Sequence, residues 1–240
     1  MKYLHGILIT LMIGGILIAM SMNRSIENFE EEDAYKDYHI ICANYTKPTD
    51  FLQAIPINHT VMKKGIDVPN KAHEASSFLR YIVDNYDTMP PNMIFIHDED
   101  ESWHHSGKIS ENIEDWIQEY HKEGGQYYEF NNKTFGVDTG INIPDNLYGE
   151  NKAYKEFWDG CMKDRVGEYA DAAPNSGKCC AQFIVSKERV QKHPKEFYQT
   201  MYDWLINKTS GEGNGDPADL YSSYNTGRYA EWSWFYIFGK

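Results

Sequence analysis

Between residues 38 and 97 the apolar pattern changes period twice, and that rhythm limits the fold more than any other feature of the chain. Tyr38-His39-Ile40-Ile41-Cys42-Ala43 is a compact apolar run of strand length. It ends in the turn-forming stretch Asn44-Tyr45-Thr46-Lys47-Pro48. A weaker strand follows at Thr60-Val61-Met62 and stops at Gly65. Ala75, Phe78, Leu79, Ile82, Val83 and Tyr86 then recur at the i, i+3, i+4 spacing that lines one face of a helix. After Pro90-Pro91, Met93-Ile94-Phe95-Ile96 is short and wholly apolar, as strands buried on both faces are. Strand, strand, helix, strand is the order of an open α/β sheet. The pattern predicts one sheet-centred domain in which the strands near 38–43, 93–97 and 181–185 are adjacent.

Further along, Ile109, Ile113, Trp116, Ile117 and Tyr120 make a second helical face, closed by Gly124-Gly125. Residues 136–151 are rich in Gly, Asn, Pro and Asp and read as loop; residues 154–169 read as helix. Ala181-Gln182-Phe183-Ile184-Val185 reads as a strand, with Ser186 placed to cap the turn after it. Residues 196–206 form another helix with Phe197, Met201, Trp204 and Leu205 inward, and 207–219 form a loop. The run from Tyr229 to Phe238 is aromatic on nearly every side, so it must be buried. No P-loop and no Gly-rich dinucleotide turn is present.

The N-terminus carries a different signal. From residue 6 to residue 22 the only polar side chains are Thr10 and Ser21, which is a short membrane span. Lys2 precedes it; Arg24 and the acidic residues Glu27, Glu30, Glu31, Glu32 and Asp33 follow. The expected organisation is an anchor at 1–24, an acidic stem at 25–37 and a domain at 38–240. The expected topology is single-pass type II, with the domain in the lumen of the secretory pathway or outside the cell. Ala19-Met20-Ser21 is a competing cleavage site that would release a secreted domain. Sequons at Asn23, Asn44, Asn58, Asn132 and Asn207 suit that route. Of Cys42, Cys161, Cys179 and Cys180, the simplest bridge joins Cys161 to Cys179 or Cys180; buried free thiols are the alternative. The net charge of -13 repels phosphate backbones and argues against nucleic acid as a partner.

The densest polar cluster is His97-Asp98-Glu99-Asp100-Glu101-Ser102-Trp103-His104-His105, directly after the predicted third strand. Ligands of open parallel sheets bind outside the carboxyl ends of the strands. Carboxylates crowded there repel one another unless a cation compensates. Asp98 and Asp100 are therefore candidate ligands of Mn²⁺ or Mg²⁺, with His97 or His104 as an additional ligand. A solvated acidic loop is the plainer reading.

Several stretches resemble the DUF3431 family, which is thought to share the GT-A glycosyltransferase fold. They are Pro69-Asn70-Lys71-Ala72-His73-Glu74 with Tyr81-Ile82-Val83-Asp84-Asn85-Tyr86-Asp87, Phe95-Ile96-His97 with Ser102-Trp103-His104, and Ala181-Gln182-Phe183-Ile184-Val185-Ser186 with Pro194-Lys195-Glu196-Phe197-Tyr198. The closing Glu231, Trp234, Ile237, Phe238 and Gly239 fit its Glu-x-x-Trp ending. The resemblance implies an α/β domain with a GT-A-like, Rossmann-type mixed sheet flanked by helices. It implies a glycosyltransferase that moves a sugar from a nucleotide-sugar donor to a glycan or glycoprotein acceptor. In such enzymes a metal on an Asp-x-Asp pair neutralises the departing diphosphate. Glu231 is then a candidate base, with a buried acid bonded to backbone or to Arg228 as the structural alternative. Asn70, Glu74, Trp103, Gln182 and Trp234 are candidate donor- or acceptor-binding residues; helix capping, strand-edge bonding and core packing are their structural alternatives. The acidic Asp98-Glu99-Asp100 run departs from the family pattern, so a metal role there rests on this sequence alone. A metal-dependent hydrolase and a non-catalytic carbohydrate-binding or scaffold domain are the rival functions.

Overall fold

The computed structural model describes residues 35–102, 105–130, 151–168 and 181–239. The apolar segment 6–22, Trp103, His104, Cys179 and Cys180 lie outside them. No helix among the described residues is long and apolar enough to cross a membrane. The compact unit runs from Tyr38 to Lys240.

The first strand, β1, spans Tyr38–Asn44, and β2 spans His59–Lys63 after a short 3₁₀ turn at Asp50–Ala54. Helix α1 (His73–Asn85) leads to β3 (Asn92–His97). Helix α2 (Ile109–Lys122) and β4 (Tyr127–Glu129) come next. Helix α3 (Lys152–Phe157) passes through a π turn at Trp158–Met162 into α4 (Lys163–Val166). The chain then forms β5 (Phe183–Ser186), α5 (Lys187–Val190), α6 (Lys195–Lys208), α7 (Ser223–Glu231) and α8 (Trp234–Phe238). The Ser186 hydroxyl accepts from the Arg189 N–H and so caps α5, as its position suggests.

The strands lie in the order β2-β1-β3-β5-β4. β1 pairs parallel with both β2 and β3, and β5 pairs antiparallel with β3 and with β4. The protein is thus a mixed α/β domain, a five-stranded sheet flanked by helices. The adjacency of the strands at 38–44, 92–97 and 183–186 is as predicted. The antiparallel direction of β5 is not visible in its apolar run, because a strand buried on both faces reads the same in either direction.

Side chains alternate between the two faces of the sheet. Ile41, Ala43, Met93, Phe95, Phe183 and Val185 join one continuous core with α1, α6, α7 and α8. Phe78 of α1 lies 4.9 Å from Phe95, which lies 5.0 Å from Phe183, which lies 5.6 Å from Trp234. That file of rings ties the terminal aromatic segment to the sheet, and these spacings are the favourable ones for tilted aromatic pairs. Ile40, Cys42, Ile94, Ile96 and Ile184 are buried on the opposite face. Cys42 and Cys161 both carry free, buried thiols, and burial pushes each pKa up to about 12. Cys161 Sγ lies 3.9 Å from the Thr200 carbonyl oxygen, in the packing between the π turn and α6; its expected partners Cys179 and Cys180 lie outside the described residues.

Candidate active site

The sheet order places β1 between β2 and β3. The chain leaves β1 to one side, to reach β2, and leaves β3 to the other, so the carboxyl ends of β1 and β3 form the switch point at which open sheets place their ligand crevice. Tyr45 follows β1 and His97 ends β3. Into the same region α1 projects its first turn.

That first turn is unusual. Ala72 (φ 53°) and His73 (φ 46°) both adopt the left-handed conformation, at a cost on the order of 1–3 kcal/mol each for residues with a Cβ. Lys64 holds the turn in place. Its buried ammonium donates to the carbonyls of Lys71 (2.6 Å) and His73 (2.5 Å) and to the Ser76 hydroxyl. Burial pulls the Lys64 pKa down to about 7, partly countered by the Glu74 charge. The strained turn is thus fixed by a buried cation, and it presents His73 and Glu74 together.

Glu74 is only 5% exposed. An acid in a first helical turn ordinarily favours the helix dipole from the surface. Here the carboxylate faces inward, with Oε2 3.9 Å from His97 Nε2 and Oε1 buried without a hydrogen-bond partner. Glu231 meets it from the last residue of α7. The approach depends on Gly227, because a Cβ there would lie 2.8 Å from His73 Cβ. Any side chain at 227 would push α7 off the start of α1. One ligand atom from each of His73, Glu74 and Glu231 lies within 4.8 Å of the others.

The electrostatics of the pair are asymmetric. Burial and the Glu74 charge push the Glu231 pKa well above the usual carboxylate range. Its place at the negative end of α7 acts the same way. Although burial opposes it, Glu74 is held below its ordinary value by His97 and His73 and by its bond with Glu231. The two carboxyls therefore share one proton, carried by Glu231. Burial also lowers the His73 pKa, so that imidazole is neutral at neutral pH, and its Nε2 is buried without a partner. The Tyr45 ring stands 6.2 Å from the His73 ring, and its buried hydroxyl has no partner either. Burial, followed by the negative charges of Glu74, Glu231 and Asp98, raises the Tyr45 pKa.

Asp98 and Asp100 do not belong to this group. Asp98 Oδ2 accepts from the backbone N–H groups of Tyr45 (2.7 Å), Thr46 (3.2 Å) and Lys47 (3.1 Å) and from Asn44 Nδ2 (3.1 Å). That nest fixes the loop after β1. Asp100 Oδ1 accepts from the Ser110 N–H and its Oδ2 from the Ser110 hydroxyl, both at 2.8 Å, so Asp100 caps the start of α2 from a distance in sequence. Asp98 Oδ2 and the two Asp100 oxygens thus serve local structure. Asp98→Asn is expected to lower stability by about 1–3 kcal/mol, since it weakens charge-assisted bonds from four donors. Chemical denaturation checks it, and an unchanged midpoint would show that the nest carries no stability.

The other candidates are dispersed. Gln182 is fully buried before β5, and its Oε1 accepts from the His97 N–H at 3.3 Å, fixing the end of β3. Asn70 lies in the segment leading to α1; its carbonyl accepts from Gly213 N–H and its Oδ1 is buried without a partner. Trp234 stacks on Phe238 in the core, with its Nε1 unpartnered. Trp103 and His104 lie outside the described residues. Sequence reasoning missed His73, Lys64 and Tyr45. His73 could have been found from its place beside Glu74 in the resemblance stretch. Nothing local marks Lys64 or Tyr45. Asn44, at a sequon, uses its amide to donate to Asp98 Oδ2 and to the Lys47 carbonyl.

No curated relative and no solved structure matches the chain. A family model described as a protein of unknown function, DUF3431, matches residues 49–240. That stretch contains α1, β3, β5 and α7, and with them every residue of the His73, Glu74, His97 and Glu231 cluster; the chain belongs to the DUF3431 family.

Proposed function

We propose that the protein is a glycosyltransferase with a GT-A-like domain, which takes a nucleotide-sugar in the crevice between β1 and β3 and passes the sugar to a hydroxyl of a glycan or glycoprotein. One observation carries this reading: buried polar groups from three separate segments converge at the carboxyl ends of two parallel strands, where open α/β sheets bind nucleotides. Tyr45 Oη, His73 Nε2 and Glu74 Oε1 are buried together without partners, and each orphaned group costs about 1–3 kcal/mol. A ligand repays that cost.

Transfer to a hydroxyl needs an acceptor for its proton. The Glu74–Glu231 pair is the group in the crevice suited to that, since its two carboxyls have opposite pKa shifts. Asp98 Oδ2 and both oxygens of Asp100 already accept hydrogen bonds in the nest and at the start of α2, so the reading does not lean on a metal there. No step of the transfer is therefore routed through a metal on them. Attachment to a membrane through residues 6–22, and a place in the secretory pathway, belong to the same proposal and rest on the sequence.

The test is a thermal-shift screen of the whole chain against nucleotide-sugars. A ligand at a hundred times its Kd adds about 2.7 kcal/mol, which for a domain of this size is roughly 5–11 °C. At least one nucleotide-sugar should produce that shift in wild type and not in Glu74→Gln. If none shifts the transition while free sugars do, the protein is a carbohydrate-binding domain instead.

A further inference from the structure

A donor diphosphate beside Glu74 and Glu231 raises a question of charge. Two carboxyls and a diphosphate cannot occupy one crevice without positive charge to balance them. Two cations nearby, among the described residues, already have partners. Lys64 spends its ammonium on the carbonyls of Lys71 and His73 and on Ser76. The Arg228 guanidinium lies over the Tyr224 ring, 3.9 Å from its centroid.

We infer that His73 Nε2 and one oxygen each of Glu74 and Glu231 form a divalent-cation site in the crevice, distinct from the Asp98–Asp100 segment. The inference rests on the donor reading only for its purpose; the site itself stands on geometry. A ring nitrogen of His73 and a carboxylate oxygen of each of Glu74 and Glu231 lie within 4.8 Å of one another. Ligands of one cation at about 2.1 Å sit roughly 3–4 Å apart, so small side-chain rotations close the site. Two of the three residues carry a buried atom free to coordinate. Glu74, 5% exposed, has Oε1 without a partner, and His73 has its buried Nε2 without one. Both come from a turn held in a left-handed conformation, and the third ligand comes from the end of a helix locked to it at Gly227.

Imidazole with two carboxylates is a mixed nitrogen and oxygen set, which suits Mn²⁺ better than the all-oxygen preference of Ca²⁺. Three protein ligands leave open positions for diphosphate oxygens. Binding of the cation displaces the Glu231 proton to solvent, and the second oxygen of each carboxylate then remains for the proton of the acceptor hydroxyl. His97 Nε2, 3.9 Å from Glu74 Oε2, borders the site from β3.

The experiment uses the full chain stripped of metal, titrated with Mn²⁺ alone while electron paramagnetic resonance reads the free aqua ion. Wild type should take up one equivalent. Glu74→Gln and His73→Asn should each weaken binding tenfold or more; Asn is chosen because it tolerates the left-handed conformation. Asp100→Asn should bind as wild type does. Paramagnetic broadening of the His73 and His97 ring signals in wild type gives a second readout if a variant fails to fold. Absence of uptake by wild type overturns the site, as does unchanged affinity in folded Glu74→Gln and His73→Asn. Mn²⁺ held at these residues with no nucleotide-sugar binding would keep the site and sink the donor reading. Nucleotide-sugar binding indifferent to Mn²⁺ and to His73→Asn would do the reverse.

Discussion

Lys64→Met is expected to destabilise the fold by about 3 kcal/mol at neutral pH and to disorder the start of α1. The side chain keeps its length and loses its donors. The carbonyls of Lys71 and His73 then lose a buried partner, and bonds to a charged group are worth about 1.5–3 kcal/mol. The left-handed turn at Ala72 and His73 also loses what holds it against its strain. The effect carries a pH signature. The folded pKa of Lys64 is lowered to about 7 from an ordinary 10.5, so between those values the unfolded chain binds more protons than the native one. Wild-type stability therefore gains with pH across that window, and the gain fades as pH falls through 7. The Met variant lacks the slope, so its deficit should widen from pH 7 towards pH 10. Urea midpoints of both proteins at several pH values measure this directly. A deficit that is constant with pH would mean that Lys64 titrates normally and that its burial is relieved by water.

Glu231→Gln is expected to act in the opposite direction. The folded pKa of Glu231 is raised, so its contribution is fully present below its unfolded value near 4.5 and is lost as pH rises through the folded value. Gln mimics the protonated acid: it can donate to Glu74 and cannot ionise. The variant should match wild type near pH 4 and be more stable by about 1–3 kcal/mol at pH 7–8, with a flatter profile. Measurement in chelator keeps cations from the carboxylates. Gains of this kind are the usual sign of a group kept for function at the expense of stability. A variant less stable than wild type at pH 8 would show that Glu231 is ionised in the fold and that the shared proton is absent.

The sequence by itself determined the elements whose apolar period is long and clean. The helical face from Ala75 to Val83 and the apolar runs of β1, β3 and β5 lie where their patterns put them, because burial of one face is written locally. β4 has only three residues and no pattern to read, and the π turn at Trp158–Met162 interrupts a helix whose composition looks uniform. Family membership was also legible, in the stretches around Glu74, His97, Gln182 and Glu231. What only the tertiary structure decided is which acids meet. Asp98 and Asp100 attract notice because they are neighbours in sequence, yet each is turned to local backbone that needs an acceptor. Glu74 and Glu231 lie far apart in the chain and come together because α7 can cross α1 closely at Gly227, where only a glycine fits. Local pattern records which side of an element is buried. It carries no record of which buried polar atoms from distant elements will face one another, since that depends on how the helices pack.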